Sequence, residues 1–214
     1  IAESLNNIGD CYKLKGLNEK ALECYEKSYE IRKKIYAYDN PNHPDIATSL
    51  NNIGYMIYKS GKDDEIALEY FERSYEIRKI AFAYDPNHPD IAQSLNNIGL
   101  IFNNKGDFDK ALDYFEKSFK IRKLAYADNP NHPDIIGSLN NFGLVYDNKG
   151  NYNKALEYFQ KSYDLSKRAY VDNSNHPIIA LIFFNIGIVY ENKGEYDRAL
   201  DLSLILLSLI HIWR

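Results

Sequence analysis

The chain repeats itself at intervals of 44 or 45 residues. The run SLNNIG and its variants SLNNFG and IFFNIG stand at 4–9, 49–54, 94–99, 138–143 and 182–187. A second run, HPDIA or a close variant, stands at 43–47, 88–92, 132–136 and 176–180. Self-similarity at a fixed period indicates stacked structural units, none of which buries its apolar face alone.

Each repeat predicts two helices. After HPD, apolar residues follow in helical steps at Ile46, Leu50, Ile53 and Ile57, and Pro44 suits the first helical turn. We name the helix that carries SLNNIG helix A and the next one helix B. The A spans are near 1–15, 44–60, 89–105, 133–149 and 177–193. The B spans are near 18–38, 63–84, 108–127, 152–171 and from 196 onward.

The glycine of SLNNIG lies in mid-helix, where it costs roughly 0.5–1 kcal/mol relative to alanine. A cost repeated in every unit predicts a close contact between helices A and B. We expect the glycine to face the small residue that opens the helix B motif, namely Ala21, Ala67, Ala111, Ala155 and Ala199.

The four histidines of the second run, His43, His88, His132 and His176, lie one repeat apart. That separation is too large for ~2 Å bonds to a shared ion, so we expect them to order the turn before helix A. Residues that recur serve a repeating task, whereas catalysis needs one asymmetric site. The sequence therefore predicts no metal site, no cofactor and no enzyme activity.

Charge and composition restrict the partners. Lys and Arg number 26 against 30 Asp and Glu, so no basic excess favours nucleic acid. No apolar run reaches the ~20 residues that span a bilayer. Two cysteines, Cys11 and Cys24, match no metal-ligand spacing. We expect a cytoplasmic protein that binds neither nucleic acid nor membrane.

The pattern of Gly9, Tyr12, Ala21, Tyr25 and Ser28 resembles the tetratricopeptide repeat (TPR) over residues 1–201. The runs HPDIA and ALEYFERSYEIRK resemble its kinesin light chain-like subclass. The resemblance implies an all-α, right-handed α-solenoid of about five repeats, which acts as a protein–protein interaction scaffold and binds a partner peptide in its concave groove. The alternative is a regulatory or sensory arm of a larger signalling enzyme or nucleotide-switch protein.

The resemblance also implies that helix A lines the groove. The expected groove residues are the asparagines two positions before each glycine, with nearby apolar anchors: Asn7, Asn52, Tyr55, Tyr58, Asn97, Leu100, Asn141 and Asn185. Two interpretations of the amides stay open. They bond the backbone of an extended peptide, or they bridge neighbouring A helices. Under the first, alanine at Asn52, Asn97 and Asn141 abolishes partner binding and leaves melting unchanged.

The charges expected in the groove limit the peptide. Lys13 and Lys59 stand against Asp10, Asp147 and Glu191. Because acids outnumber bases at these positions, an acidic peptide gains little. We predict a neutral or mildly basic segment with apolar anchors.

The last repeat departs from the pattern after residue 201. An apolar tail, LSLILLSLIHIWR, occupies 202–214 where the other copies predict an amphipathic helix. Three origins stay open: a sequencing artefact, because one frame of a transposon-end adapter encodes LSLIHI; a frameshift; or an apolar cap. The predicted array is therefore 1–201, with repeats near 1–42, 43–87, 88–131, 132–175 and 176–201.

Overall fold

The computed structural model describes residues 1–171, 173 and 176–211, with side chains up to 207. This part of the chain is all-α and contains ten helices. They are α1 (Ala2–Leu14), α2 (Asn18–Ile35), α3 (Pro44–Ser60), α4 (Asp64–Ala81), α5 (Pro89–Asn104), α6 (Phe108–Ala125), α7 (Pro133–Asn148), α8 (Tyr152–Ala169), α9 (Pro177–Asn192) and α10 (Tyr196–His211). None of these helices has the length and apolarity needed to cross a bilayer.

The chain forms two compact units, Ile1–Ile121 and Arg122–Arg214. Within each unit, a helix A packs on the helix B that follows it and on the helix B before it. In the first pair, Ser28 of α2 donates to the Ala2 carbonyl, whereas Tyr25 lies against Gly9. Contacts that advance along α1 thus recede along α2, so the two helices run antiparallel.

The histidines cap the A helices. The Nδ1 atom of His88 accepts a hydrogen bond from the Asp90 backbone N–H at 3.2 Å, and its ring stacks on Phe82 with centroids 3.6 Å apart. The same two contacts recur at His43, His132 and His176. The prediction that they order the turn before helix A is confirmed. Among the described residues, no group of three or more His, Cys, Asp or Glu side chains could hold a metal ion.

The partner of the SLNNIG glycine differs from the prediction. A Cβ atom placed on Gly99 would lie 2.7 Å from the ring of Phe115, and one on Gly143 would lie 2.5 Å from the ring of Phe159. Gly9 faces Tyr25 in the same way. The predicted contact with alanine is wrong, because the aromatic residue four positions later fills the space above the glycine. Ala21 and Ala67 are buried towards the next helix A instead.

Buried arginines join consecutive pairs. Arg78 of α4 is almost fully buried and donates to the Asp90 carbonyl at 2.8 Å and to the Ser94 Oγ at 2.9 Å. Burial lowers the pKa of Arg78, and the Asp90 carboxylate 3.7 Å away opposes that shift. Because a buried cation needs compensating acceptors, this contact fixes α4 on the N-terminal half of α5.

The arginine contact recurs at two other junctions, and at a further junction all three of its residues are replaced. Equivalent bonds join Arg32 to Ser49 and the Asp45 carbonyl, and Arg122 to Ser138 and the Asp134 carbonyl. At the next junction, between α8 and α9, the three corresponding positions hold Ser166, Ile178 and Ile182. The cation and its two acceptor residues have changed together, so an apolar junction replaces a polar one.

A glycine pair in the second unit tests the ring contact. We expect Gly143→Ala to lower the free energy of unfolding by about 1–3 kcal/mol, because the buried Phe159 ring has no room to move. The matched variant Gly187→Ala should raise stability by about 0.5 kcal/mol, since its nearest neighbour is the Leu202 Cβ at 4.0 Å. Urea unfolding measures both, and equal effects would contradict the ring contact.

The arginine junction predicts compensation. Arg78→Ser alone should cost about 3 kcal/mol or more, because it leaves a cavity and removes the donor from the Asp90 carbonyl and the buried Ser94 Oγ. Adding Asp90→Ile and Ser94→Ile copies the natural set at Ser166, Ile178 and Ile182 and should recover part of that loss. Urea unfolding of the single and triple variants measures this recovery. A triple variant that is no more stable than the single one would contradict the predicted compensation.

Candidate peptide-binding surface

A concave pocket of about 390 Å³ lies across the A helices of the first unit. Residues from α1, α3 and α5 line it, with one from α2: Lys13, Leu14, Asn18, Asn51, Asn52, Tyr55, Met56, Lys59, Gln93 and Asn97. Three of the predicted groove residues, Asn52, Tyr55 and Asn97, therefore come together here. We call this set of residues the α1–α3–α5 pocket.

The other predicted groove residues lie elsewhere. Asn7 is exposed on α1, and Leu100 is half-buried on α5 outside the pocket lining. Tyr58 packs on the cluster that contains Phe71 and Ile101. Burial there, reinforced by the Asp64 charge, raises the pKa of Tyr58.

Two predicted residues, Asn141 and Asn185, belong to the second unit. Asn141 is half-buried on α7, and Asn185 is buried on α9, where it donates to the Asn140 Oδ1 atom at 2.9 Å. A role in ligand binding for either residue stays a prediction.

The asparagines form rungs between neighbouring A helices. The Nδ2 atom of Asn52 donates to the Asn6 Oδ1 atom at 3.0 Å, and that of Asn97 donates to the Asn51 Oδ1 atom at 2.8 Å. In each rung the residue two before a glycine bonds the residue three before the previous glycine. The amides therefore bridge helices, and the expectation that alanine at these positions leaves melting unchanged no longer holds.

Each rung nevertheless uses only part of its amides. The Asn97 Oδ1 atom and the Asn51 Nδ2 atom have no hydrogen-bond partner among the described residues. No asparagine atom in the described part of the chain is both buried and unbonded. These two atoms and the Oδ1 atom of Asn52 belong to residues that line the pocket. In the Asn97–Asn51 rung an acceptor and a donor atom thus stay unbonded, whereas in the Asn52–Asn6 rung the Asn6 Nδ2 atom donates to Asp10 at 3.2 Å.

A second row of contacts lies two turns further along the A helices. In the second unit, Asn192 donates to the Asp147 carboxylate at 3.1 Å. Burial raises the pKa of Asp147, and the Asn192 bond opposes that shift. The corresponding positions of α1 and α3 hold Lys13 and Lys59. Two cations cannot form a rung, and both lysines line the pocket instead.

The two lysines give this pocket a more positive charge than the sequence predicted for the groove. Lys13 lies 3.0 Å from Asp10, and the Lys59 Nζ lies 6.0 Å from the Tyr55 ring centroid. None of the described residues that line the pocket is acidic. Asp10 is bonded internally, because the Tyr25 hydroxyl donates to it at 2.8 Å. Burial and this bond raise the pKa of Tyr25.

Two groups of residues that shape this surface were not predicted from the sequence. Gln93 lines the pocket four residues before Asn97, and its Oε1 atom accepts from Arg78 at 3.0 Å. Its i, i+4 spacing from Asn97 was the available signal, since such residues share a helix face. The arginine junctions were also missed, although the joint change to Ser166, Ile178 and Ile182 marks them in the sequence itself.

The rungs predict a measurable contribution to stability. Asn97→Ala should lower the free energy of unfolding by about 1 kcal/mol, because it leaves the Asn51 Oδ1 atom without its donor. Asn7→Ala is the matched control, since Asn7 is exposed and should change stability by less than about 0.5 kcal/mol. Urea unfolding compares them. Losses of the same size would mean that the rung contributes nothing.

Comparison with known proteins agrees with this architecture. The tetratricopeptide repeat model matches residues 1–80, 78–123 and 134–203. No curated protein sequence matches the chain.

Three solved structures share the fold at low sequence identity. A kinesin light chain-type protein with nearly identical TPR-like repeats, from Podosopora anserina, has a TM-score of 0.69 at 18% identity, over 99% of this chain and 96% of the other. The Rap conjugation gene regulator of plasmid pLS20, in complex with the Phr* peptide, has a TM-score of 0.74 at 20% identity, over 96% and 52%. A Rap protein complexed with Competence and Sporulation Factor has a TM-score of 0.78 at 16% identity, over 98% and 54%.

This chain spans about half of either Rap protein. At these identities the three likenesses concern the fold alone. The repeat model, in contrast, covers most of the sequence, and its matches fall on the helix pairs described above. The chain belongs to the tetratricopeptide repeat family.

Proposed function

We propose that this protein is an interaction scaffold whose α1–α3–α5 pocket binds an extended peptide segment of a partner protein. The observation that carries the proposal is the set of unbonded amide atoms on Asn51, Asn52 and Asn97, three residues that line one pocket. The lining contains amides, lysines and apolar side chains, and none of the described lining residues is a serine, cysteine, histidine or carboxylate. This chemistry suits binding rather than catalysis.

The amides suit a peptide backbone. The Oδ1 atoms of Asn52 and Asn97 can accept from backbone N–H groups, and the Asn51 Nδ2 atom can donate to a backbone carbonyl. Such bonds hold an extended segment whatever its side chains are. Leu14, Tyr55 and Met56 in the same lining offer apolar contact to one anchoring side chain. Affinity and side-chain preference thus come from different parts of the pocket.

The lysines narrow the expected ligand. The sequence predicts a neutral or mildly basic segment, but at this pocket Lys13 and Lys59 repel basic groups. We therefore propose a neutral or acidic segment here. The Rap structures that share the fold contain the Phr* peptide in one case and Competence and Sporulation Factor in the other, which supports a peptide-binding role.

Titration with a library of neutral, acidic and basic extended peptides tests the proposal. Acidic peptides should bind to the full chain, and Lys59→Glu should weaken them by about tenfold while changing neutral peptides little. Lys34→Glu is the matched control, because Lys34 is exposed on α2 outside the pocket. A preference for basic peptides, or equal binding to the chain and to Lys59→Glu, would contradict the proposal.

A further inference from the structure

We propose that the buried Arg78 is a positioning residue for the α1–α3–α5 pocket. It holds the Gln93 amide in one orientation, so that the pocket offers a hydrogen-bond donor on α5 and selects a peptide that places a carbonyl oxygen there. The inference rests on the proposed function, because it concerns the peptide that this pocket binds. It names a specificity-determining residue, Gln93, and the buried group that orients it.

Gln93 connects the α4–α5 junction to the pocket. Its side chain is exposed and lines the pocket, whereas Arg78 on α4 is 1% exposed. The Arg78 Nη2 atom donates to the Gln93 Oε1 atom at 3.0 Å. The Nη1 atom of the same guanidinium donates to the Asp90 carbonyl and to the Ser94 Oγ atom. Three residues thus supply acceptors to the guanidinium, and one of them belongs to the pocket.

The guanidinium determines which end of the Gln93 amide faces it. A guanidinium carries donors only, whereas a primary amide has an acceptor oxygen at one end and a donor nitrogen at the other. Reversal of the amide would bring two donors together and would remove one acceptor from a buried charge. The Arg78 Nε atom is already buried without a partner in the described part of the chain. Gln93 therefore keeps its oxygen on Arg78.

The Nε2 atom of Gln93 is left for a ligand. It has no hydrogen-bond partner among the described residues, and it carries two N–H groups. Because the oxygen of the same amide is bonded to a buried group, this donor is pre-organised and loses little conformational freedom when a ligand binds. A carbonyl or carboxylate oxygen is the group that satisfies it.

The equivalent positions at the other arginine junctions lack this donor. Thr48 occupies the position on α3, and its hydroxyl donates within its own helix at 3.1 Å. Gly137 occupies it on α7 and has no side chain. The arginine itself recurs at these junctions, as Arg32 and Arg122. Of the three described arginine junctions, the α4–α5 junction alone orients a side-chain donor that belongs to the pocket.

Gln93 and Asn97 together give α5 a fixed hydrogen-bond polarity. The Asn97 Nδ2 atom donates to Asn51, which leaves the Asn97 Oδ1 atom as an acceptor. Gln93 and Asn97 are four residues apart in the sequence, which is a rise of about 6 Å along the helix. Two residues of an extended chain span about 6.6–6.8 Å. We therefore expect a peptide carbonyl at Gln93 and a peptide N–H, two residues away, at Asn97.

A backbone thioamide scan tests the requirement for a carbonyl oxygen. The parent probe is the neutral peptide acetyl-Ala-Ala-Leu-Ala-Ala-amide, titrated against the full chain, and its leucine supplies the apolar anchor. Each further probe has sulfur in place of one carbonyl oxygen, and sulfur is the weaker acceptor. One position should weaken binding by about fivefold or more, because it loses the bond from Gln93. Equal effects at all positions would overturn the proposal.

The variant Gln93→Glu separates the donor from the structural role of the side chain. Its carboxylate still accepts from Arg78, and more strongly than an amide does, so urea unfolding should show no loss of stability. It has no N–H, so the parent probe should bind about fivefold more weakly and the sensitive thioamide position should lose its effect.

Thr48→Glu is the matched control for the added charge. It places a carboxylate at the same register of α3, outside the pocket lining, and should leave binding of the parent probe unchanged. Equal binding of the parent probe by the full chain and by Gln93→Glu would overturn the role of Gln93.

The triple variant Arg78→Ser, Asp90→Ile and Ser94→Ile tests the part of Arg78. Without the guanidinium, the Gln93 amide rotates and presents either end, so the sensitive thioamide position should cost less than about twofold. Urea unfolding establishes that this variant is folded. A persisting fivefold effect would overturn positioning by Arg78.

Nitrogen-15 relaxation of the Gln93 side-chain amide tests the same point in the full chain, whether or not the triple variant folds. The amide signal is assigned by its loss in Gln93→Glu. Its order parameter should exceed about 0.6, because an amide bonded to a buried guanidinium is rigid. A lower value would show a freely rotating amide and would overturn positioning by Arg78.

The parent probe separates this inference from the proposed function. If neither the parent probe nor any peptide of the library binds the full chain, the proposed function fails and the inference fails with it. If the parent probe binds the full chain and Gln93→Glu equally well, the pocket binds peptides and the role of Gln93 alone is overturned.

Discussion

The contact between the helix A glycine and the helix B ring fixes each helix pair. Because the ring of Phe115 occupies the space where a Gly99 side chain would lie, the two axes approach closely and in one register. That register brings a helix B serine onto a helix A carbonyl in four successive pairs, as in the 2.8 Å bond from Ser74 to Ala47. In the last pair, Ser203 and Leu206 replace the ring and the serine together. α10 thus lacks both of the groups that fix the earlier pairs.

Between pairs, the structure relies on polar contacts that contribute specificity more than stability. A buried arginine has a large desolvation cost, and its bonds to a carbonyl and a serine recover only part of it. The junction of α8 and α9 shows that isoleucines can fill the same place, since Ile182 is fully buried there. The arginine contributes specificity of helix pairing, because it forms these bonds where serine and aspartate occupy the matching positions. The asparagine rungs act in the same way along the A helices.

The helices were largely predictable, and their ends show why the rest was not. The predicted span 44–60 agrees with α3, whereas the predicted span 63–84 overshoots α4, which ends at Ala81. Periodicity could not detect that Phe82 leaves the helix to stack on His88. The glycine partner was wrong for a related reason, because the alanine and the ring lie one turn apart on helix B. A sequence pattern places residues on one face of a helix, but it does not show which of them lies level with a given residue of the neighbouring helix.

The pocket was predictable in part. Helical spacing places Asn52, Tyr55 and Asn97 on the same A-helix faces, and the structure brings them together. Bridging of neighbouring A helices was one of the two interpretations left open, but the pairing was not predictable, because each rung joins residues from different rows of consecutive repeats, such as Asn52 and Asn6. The predicted charge of the groove differs from that of the pocket for a spatial reason as well. Asp147 and Glu191 were counted with Lys13, although they belong to the other unit.

The near-identity of the arginine junctions has a consequence for folding. Because α2 and α4 carry the same alanine, aromatic and arginine set, these three positions do not distinguish the receiving face of α3 from that of α5; the bond from Arg78 to Gln93, where α3 has Thr48, does. During folding, the short turns 36–43 and 82–88 add to this selection by keeping the adjacent helix close. The junction of α8 and α9 escapes this ambiguity. An arginine-bearing helix that packed on Ile178 and Ile182 would bury an unpaired cation. The sequence difference at this junction therefore disfavours mispairing with α2 or α4.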